Sequence, residues 1–232
     1  MEKITGILEK NSIWDLYNSF FLSADIDRIR KFMVREYLFK LSLEIPGDIV
    51  ELGVFKGTGI AQLIKLRDIL IPGTSKKIIG FDLFSQSSHY KEKLDGHHQN
   101  LEKYYSQCNI NMEKGISKDS LSSLLDLIPS HNKNIELVEG DISQTLKIYL
   151  EKNPGFRISY LYFDMDIDEP TYIALVLLYE RIVRGGIIVF DEYSCSKWTE
   201  SDAVDRFMSK YPDIKLRTLS WAKTPTAYII KN

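Results

Sequence analysis

Val50-Glu51-Leu52-Gly53-Val54-Phe55-Lys56-Gly57-Thr58-Gly59 is a short apolar run that breaks into glycines and then opens a helical pattern. It reads as the first strand-to-helix turn of an α/β domain. Gly53 and Gly57 permit a tight turn and a close ligand approach. The dinucleotide fingerprint is GxGxxG, whereas this stretch is GxxxGxG, with bulky Val54 and Phe55 after the first glycine. A pyrophosphate wants uncovered backbone N–H groups at that point. A sulfonium nucleoside carries no phosphate and tolerates the bulk. Alone the loop is a weak signal, because a tight helix entry needs the same glycines.

Outward from this turn the chain alternates apolar runs with amphipathic segments. The runs are Asp48–Leu52, Lys77–Phe81, Ile135–Val138, Ile158–Phe163 and Ile187–Phe190. Continuous apolar strands of this kind fit a parallel sheet covered on both faces. Between them, Ile60, Leu63, Ile64, Leu66 and Leu70 recur at helix spacing up to Pro72-Gly73. Leu175, Val176, Leu178, Ile182 and Val183 form a second stripe, with Gly185-Gly186 as its stop signal. Ala203, Val204, Phe207 and Met208 form a third. Ile214–Leu219 and Thr226–Ile230 read as two strands joined by a short turn, hence an antiparallel pair. The expected fold is α/β: a doubly wound, Rossmann-like sheet, mostly parallel, with an antiparallel C-terminal strand.

Two regions fall outside the alternation. Residues 1–46 read as a helical extension, a cap or an oligomer contact, with Ile26, Ile29, Met33, Tyr37 and Leu41 on one face and the aromatics Trp14, Tyr17, Phe20 and Phe21 ahead of them. Residues 47–232 form the main domain, interrupted at 85–116 by a polar insertion whose length suits a lid or a surface excursion. A chain of 232 residues buries a sizeable core without staples. Lys plus Arg is 30 and Asp plus Glu is 32, a balance that argues against a polyanion-binding surface over the whole molecule. No apolar run reaches membrane-spanning length, and the first residues lack a secretory pattern. Cys108 and Cys195 make no disulfide framework. The expected setting is the reducing cytoplasm.

Acidic residues recur at the strand ends. Glu51 closes the first strand and Asp82 the second, where an acid can accept hydrogen bonds from both ribose hydroxyls. Asp141-Ile142 follows the third strand; Asp141 either receives an adenine amino group or caps the next helix. The fourth strand ends in Phe163-Asp164-Met165-Asp166-Ile167-Asp168-Glu169 and the fifth in Phe190-Asp191-Glu192. Neighbouring strands would bring these acids to one edge, and clustered carboxylates repel unless something positive sits between them. A hard divalent cation, Mg2+ foremost, suits such oxygen ligands, so Asp164, Asp191 and Glu192 are the expected ligand set. Asp168 and Glu169 read as helix-start acids. His89, His97, His98 and His131 show no metal spacing, and His97-His98 could line a pocket or sit on the surface. There is no GxSxG elbow and no GxxxxGK[ST] loop.

Taken together, VELGVFKGTG (50–59), GFDLF (80–84), VEGDISQTL (138–146), YFDMDIDEPT (162–171), LLYERIVRGGIIVFDEY (177–193) and AVDRF (203–207) resemble the class I S-adenosylmethionine-dependent methyltransferases of the macrocin O-methyltransferase (TylF/MycF) type. The resemblance spans roughly residues 47–210 and implies a Mg2+-assisted methyl transfer to a hydroxyl, often on a natural-product sugar, by a homo-oligomer. It implies a cofactor site at Glu51, Gly53, Val54, Phe55, Gly57, Thr58, Asp82, Asp141, Ile142 and Asp164, with Asp164 and Asp166 as the catalytic acids. The chain departs from the family pattern at Met165, Asp168, Pro170 and Glu192. Catechol-type relatives carry a lysine three positions after the first aspartate. That position here is Ile167, which leaves the general base open. The competing readings are an NAD-linked oxidoreductase, disfavoured by the glycine spacing, and a non-catalytic interaction protein of the same fold. A nucleic-acid methyltransferase lacks support, since no basic stripe interleaved with aromatics is present.

Overall fold

The structure, a computed structural model, describes residues 10–23, 26–84, 116–130 and 133–232. Nearly all of the 85–116 insertion, with His89, His97, His98 and Cys108, lies outside these residues, as does His131. The described elements are α1 (Lys10–Leu22), α2 (Ile26–Lys40), β1 (Asp48–Leu52), α3 (Thr58–Leu70), β2 (Ile78–Asp82), α4 (Lys118–Asp126), β3 (Ile135–Glu139), α5 (Ile142–Lys152), β4 (Ile158–Phe163), α6 (Asp168–Leu178), a 3-10 turn (Tyr179–Arg181), β5 (Ile182–Phe190), α7 (Glu200–Met208) and β6 (Ala227–Ile230).

One six-stranded sheet runs in the order β3-β2-β1-β4-β5-β6. The first five strands are parallel and β6 is antiparallel to β5. The pleat divides the sheet into two faces. Val50, Leu52, Ile79, Phe81, Leu161, Phe163, Ile188 and Phe190 bury against Leu146 and Tyr149 of α5, Ala174, Leu175 and Leu178 of α6, and Val204 and Phe207 of α7. Their alternates Ile49, Ile78, Tyr160, Tyr162, Ile187 and Val189 bury against Val34, Leu38 and Phe39 of α2, Ile60, Leu63 and Ile64 of α3, and Leu121 and Leu125 of α4. Period-two alternation puts Glu51 on this second face, opposite α2. α2 therefore shares a core with the strands it precedes.

Three expectations change on contact with the packing. The buried face of α2 is Val34, Arg35, Leu38 and Phe39, while Ile26, Met33, Tyr37 and Leu41 stay exposed. Residues 214–219 form no strand. Arg217 exchanges a single pair of backbone hydrogen bonds with Tyr228, whose other edge is already ladder-paired to β5. Half-buried Ile214 and Leu216 alternate with exposed Lys215 and Arg217, which yields the strand-like pattern without a ladder. The Gly185-Gly186 pair lies within β5 rather than at a helix end. Ile158 pairs with Ile182 but Tyr160 pairs with Ile187, so β5 accommodates extra residues around left-handed Gly185. A side chain at Gly186 would meet Ile182 at 2.6 Å and the Val183 carbonyl at 2.9 Å.

Candidate active site

The strand order reverses between β1 and β4, because β2 continues on one side of β1 and β4 pairs with the other. Open α/β sheets bind ligands outside the carboxyl ends at such a point. The backbone is unusual along this edge. Phe55, Phe84, Asp166 and Ser194 follow β1, β2, β4 and β5, and all four adopt positive φ. They are the only such non-glycine residues among those described. Strained backbone of this kind gathers at binding and catalytic sites.

The β1–α3 loop is held from below by Asp82. Its Oδ2 accepts hydrogen bonds from the Val54 and Phe55 N–H groups at 2.6 and 2.8 Å, and its Oδ1 accepts from Phe84 N–H at 2.8 Å. A carboxylate offers about four acceptor positions, so one remains toward a ribose hydroxyl. The Val54 and Phe55 N–H groups are thus taken by the protein's own carboxylate. Gly53, at φ 88°, sits so close to β4 that a Cβ would meet the Asp164 carbonyl oxygen at 2.0 Å. Gly57, also left-handed, begins α3, and a Cβ there would strike Leu121. Phe55 and Thr58 are exposed on the loop. Asp141 caps α5 by accepting from Ser143 N–H at 3.0 Å, so the capping alternative is realised, and Ile142 is buried in the core. Glu51 is 1% exposed and accepts from Arg35 at 2.6 Å, turned toward α2.

At the β4 and β5 ends the register matches Phe163 with Phe190, which places Asp164 beside Asp191. The cation between them is Lys31 of α2. Its Nζ lies 2.7 Å from Asp191 Oδ2 and 3.5 Å from Asp164 Oδ2. The Tyr162 hydroxyl donates to Asp191 Oδ1. Burial would raise Asp191, but the Lys31 ammonium and the Tyr162 hydroxyl outweigh it and hold this carboxyl below its usual range. Burial and then Asp191 push Asp164 well above that range, with Lys31 pulling the other way. Asp166 is pushed up to about 6 by burial and Asp191, and Glu192 up to about 7 by the same two causes. Burial foremost pushes Glu200 of α7 well above the ordinary carboxyl range; its Oε1 accepts from Glu192 N–H at 3.0 Å. Thr199 fixes the β4–α6 loop, donating its N–H to the Asp166 carbonyl and accepting from Asp168 N–H. Asp168 and Glu169, in the first turn of α6, pair with Arg206 at 3.0 and 2.9 Å.

The expected metal trio does not assemble. Asp191 gives one oxygen to Lys31 and the other to Tyr162, while Glu192 bonds Cys195. Among the described residues no three His, Cys, Asp or Glu side chains converge on a common point suited to an ion. The residues present therefore do not fit a divalent cation as they stand. Lys31, Arg35 and Glu200 lie outside every quoted motif, and Tyr162, inside YFDMDIDEPT, carries no sequence signal of its bond to Asp191. The one available clue was that the acids required a positive partner, and that Lys31 and Arg35, four apart, share a helix face.

A sheet with this switch point, a glycine loop braced by the acid at the end of β2 and an acid-tipped fourth strand has the form of a nucleoside-dependent methyltransferase. Family comparison agrees: residues 29–215 match the macrocin O-methyltransferase (TylF) family, and the chain belongs to it. It is an S-adenosylmethionine-dependent O-methyltransferase. No curated protein sequence matches it. Among solved structures it is similar to CalS11, a TDP-rhamnose 3'-O-methyltransferase of calicheamicin biosynthesis, at 25% identity and a TM-score of 0.66 over 94% of this chain and 86% of that one. The O-methyltransferase NovP is 19% identical, with a TM-score of 0.61 over 85% and 80% of the two chains. An O-methyltransferase from Bacillus cereus in complex with SAH shares the fold at 11% identity and a TM-score of 0.50, over 95% and 90%. The family match starts inside α2, so the helix that carries Lys31 and Arg35 is part of the family's own domain. Among the described residues no helix is long and apolar enough to cross a membrane.

Proposed function

We propose that this chain methylates a hydroxyl of a sugar, either a nucleotide-linked sugar or a glycosylated small metabolite, at the β1–β4 crevice. The observation that carries the acceptor class is the likeness to CalS11 over nearly the whole chain. The residues fit the donor: Asp82 braces the β1–α3 loop through the Val54 and Phe55 N–H groups and keeps an acceptor position for a ribose. S-adenosylmethionine, when bound there, supplies an activated methyl group on a sulfonium centre.

The protein's own contribution is placement and proton handling. The Gly53–Gly57 turn, with Val54, Phe55, Thr58 and Asp141 around it, shapes the donor side of the crevice, and buried Glu51 and Ile142 back it from within the fold. Asp164 and Asp166 face the acceptor side. Asp166 is the proposed base: it sits on strained backbone, braced through its carbonyl by Thr199, next to the acid pair. A base that titrates near neutral pH transfers protons most efficiently. Holding oxygen and methyl carbon about 3–3.5 Å apart contributes roughly 7–11 kcal/mol to such transfers. Exposed apolar side chains on α1 and α2, among them Trp14, Tyr17, Phe21, Ile26 and Met33, support a homo-oligomer, because monomers rarely leave so much contiguous apolar surface in water. The near-neutral, cysteine-poor composition suits a cytoplasmic enzyme.

The test is a mass-spectrometric screen of nucleotide-linked deoxysugars with S-adenosylmethionine. The expected result is one methyl added to a sugar hydroxyl with release of S-adenosylhomocysteine. S-adenosylhomocysteine binding with no transfer to any sugar would overturn the acceptor class. Failure to bind it at all would overturn the donor site. Light scattering of the purified chain checks the oligomer.

A further inference from the structure

We infer that Lys31 is the resident cation of the Asp164–Asp191 pair, built into the chain at the point where a divalent metal was expected. The inference rests on methyl transfer at this edge, and its first readout is independent of turnover.

Three observations carry it. The Lys31 ammonium lies between the two carboxylates, 2.7 Å from Asp191 and 3.5 Å from Asp164. A Mg2+ or Ca2+ ion binds oxygens at about 2.0–2.6 Å, so it cannot share that point with an ammonium at hydrogen-bond distance. Next, Lys31 is not on a loose arm. One turn further along α2, Arg35 is locked to Glu51 at 2.6 Å and stacked 3.9 Å over the Tyr162 ring, while Val34, Leu38 and Phe39 are buried in the sheet core. The helix is pinned, and the Lys31 side chain, 21% exposed, is delivered to the acids by that anchoring. Last, the acid that should complete a metal shell is engaged elsewhere, since Glu192 bonds Cys195 and its backbone N–H bonds Glu200.

The consequence is a site whose cation comes from α2 rather than from solution. Lys31 acts through Asp191 and Asp164, holding both carboxyl groups in place at the strand ends, and is a positioning residue. An acceptor can then be seated by a single hydroxyl, with no vicinal diol needed to chelate an ion. Removing Lys31 frees the oxygens it holds, so that added Mn2+ should compete with a proton for the two carboxyl groups.

The experiment measures Mn2+ binding by electron paramagnetic resonance in the wild type, Lys31→Met, Lys31→Arg and the double variant Lys31→Met/Asp191→Asn. Circular dichroism and S-adenosylhomocysteine titration run in parallel. Lys31→Met should bind Mn2+ at least tenfold more tightly than wild type or Lys31→Arg, and the double variant should lose that gain. Wild-type turnover should survive excess chelator. Lys31→Met should lower kcat about a hundredfold in chelator, with Mn2+ restoring part of it, and Lys31→Arg should stay within about tenfold of wild type. Wild-type Mn2+ binding as tight as that of Lys31→Met overturns the inference, as does loss of wild-type turnover in chelator. If Lys31→Met fails to fold, Lys31→Gln replaces it, and absence of a Mn2+ gain in the folded variant overturns the inference. A failed sugar screen with intact S-adenosylhomocysteine binding would strike the acceptor proposal and leave the Mn2+ result standing.

Discussion

α2 sends two cations into the sheet one helical turn apart, and they meet very different surroundings. Arg35 meets Glu51, one charge against one, with both side chains sealed from water. Lys31 meets Asp164 and Asp191 at the strand edge, one charge against two, with Asp164 still 28% exposed. The inner pair is balanced and closed, so it fixes the helix. The outer cluster carries surplus acid facing the crevice, so it stays available for chemistry. Depth along a single helix separates a structural ion pair from a working one.

Breaking the inner pair should produce the largest effect on stability. Arg35→Met leaves Glu51 buried without a partner, which typically costs about 3–5 kcal/mol. Chemical denaturation should reveal the loss. Adding Glu51→Leu should recover most of it, since apolar replacement of a whole buried pair is often neutral. If the double variant remains as unstable as Arg35→Met, the inner pair is more than a structural lock.

The outer cluster predicts the opposite pattern. Asp191→Asn should cost about 1.5–3 kcal/mol, less than Arg35→Met, because the amide oxygen still accepts from one of Tyr162 and Lys31. Its kcat should fall by about a hundredfold, the scale of loss when the groups around a reacting centre are misplaced by about 1 Å. S-adenosylhomocysteine affinity should change less than threefold. A change confined to cofactor affinity would move Asp191 out of the acceptor side.

On the donor side, Asp82→Asn replaces a carboxylate that accepts from three backbone N–H groups. Charge-assisted bonds exceed neutral ones by about 1 kcal/mol each. We expect roughly tenfold to hundredfold weaker S-adenosylhomocysteine binding by calorimetry, with kcat at saturation nearly retained.

The smallest effect concerns Glu200. Its carboxyl sits well above the ordinary range in the folded state, chiefly through burial. A raised acid stabilises the fold below its unfolded value and withdraws that contribution as pH rises toward the folded one. Wild-type stability should therefore decline as pH climbs above the ordinary Glu range, about 4.3. Glu200→Gln, which still accepts from Glu192 N–H, should flatten that decline in urea titrations between acidic and neutral pH. An unchanged slope would place the charge elsewhere in the cluster.

Much of the fold was legible from runs such as Ile158–Phe163, where every position is apolar or buried, because a strand covered on both faces has no choice of orientation. The glycine loop and the adjacency of Asp164 and Asp191 were equally readable, since strand ends and sheet order set them. The errors share a cause. The face of α2 was assigned by counting apolar residues, yet Met33 and Tyr37 face water while Arg35 is buried, because Glu51 supplies its partner from β1. Residues 214–219 alternate like a strand but meet β6 at the single Arg217–Tyr228 bridge and not along a ladder.

The sequence by itself determined the doubly wound sheet, the acid-tipped edge and the need for a positive charge there, because these follow from local periodicity and from electrostatic repulsion between neighbours in the strand order. Only the tertiary structure decided which positive charge is used. Lys31 and Asp191 stand 160 residues apart, and no local pattern encodes a contact that exists solely because α2 packs across β1, β4 and β5.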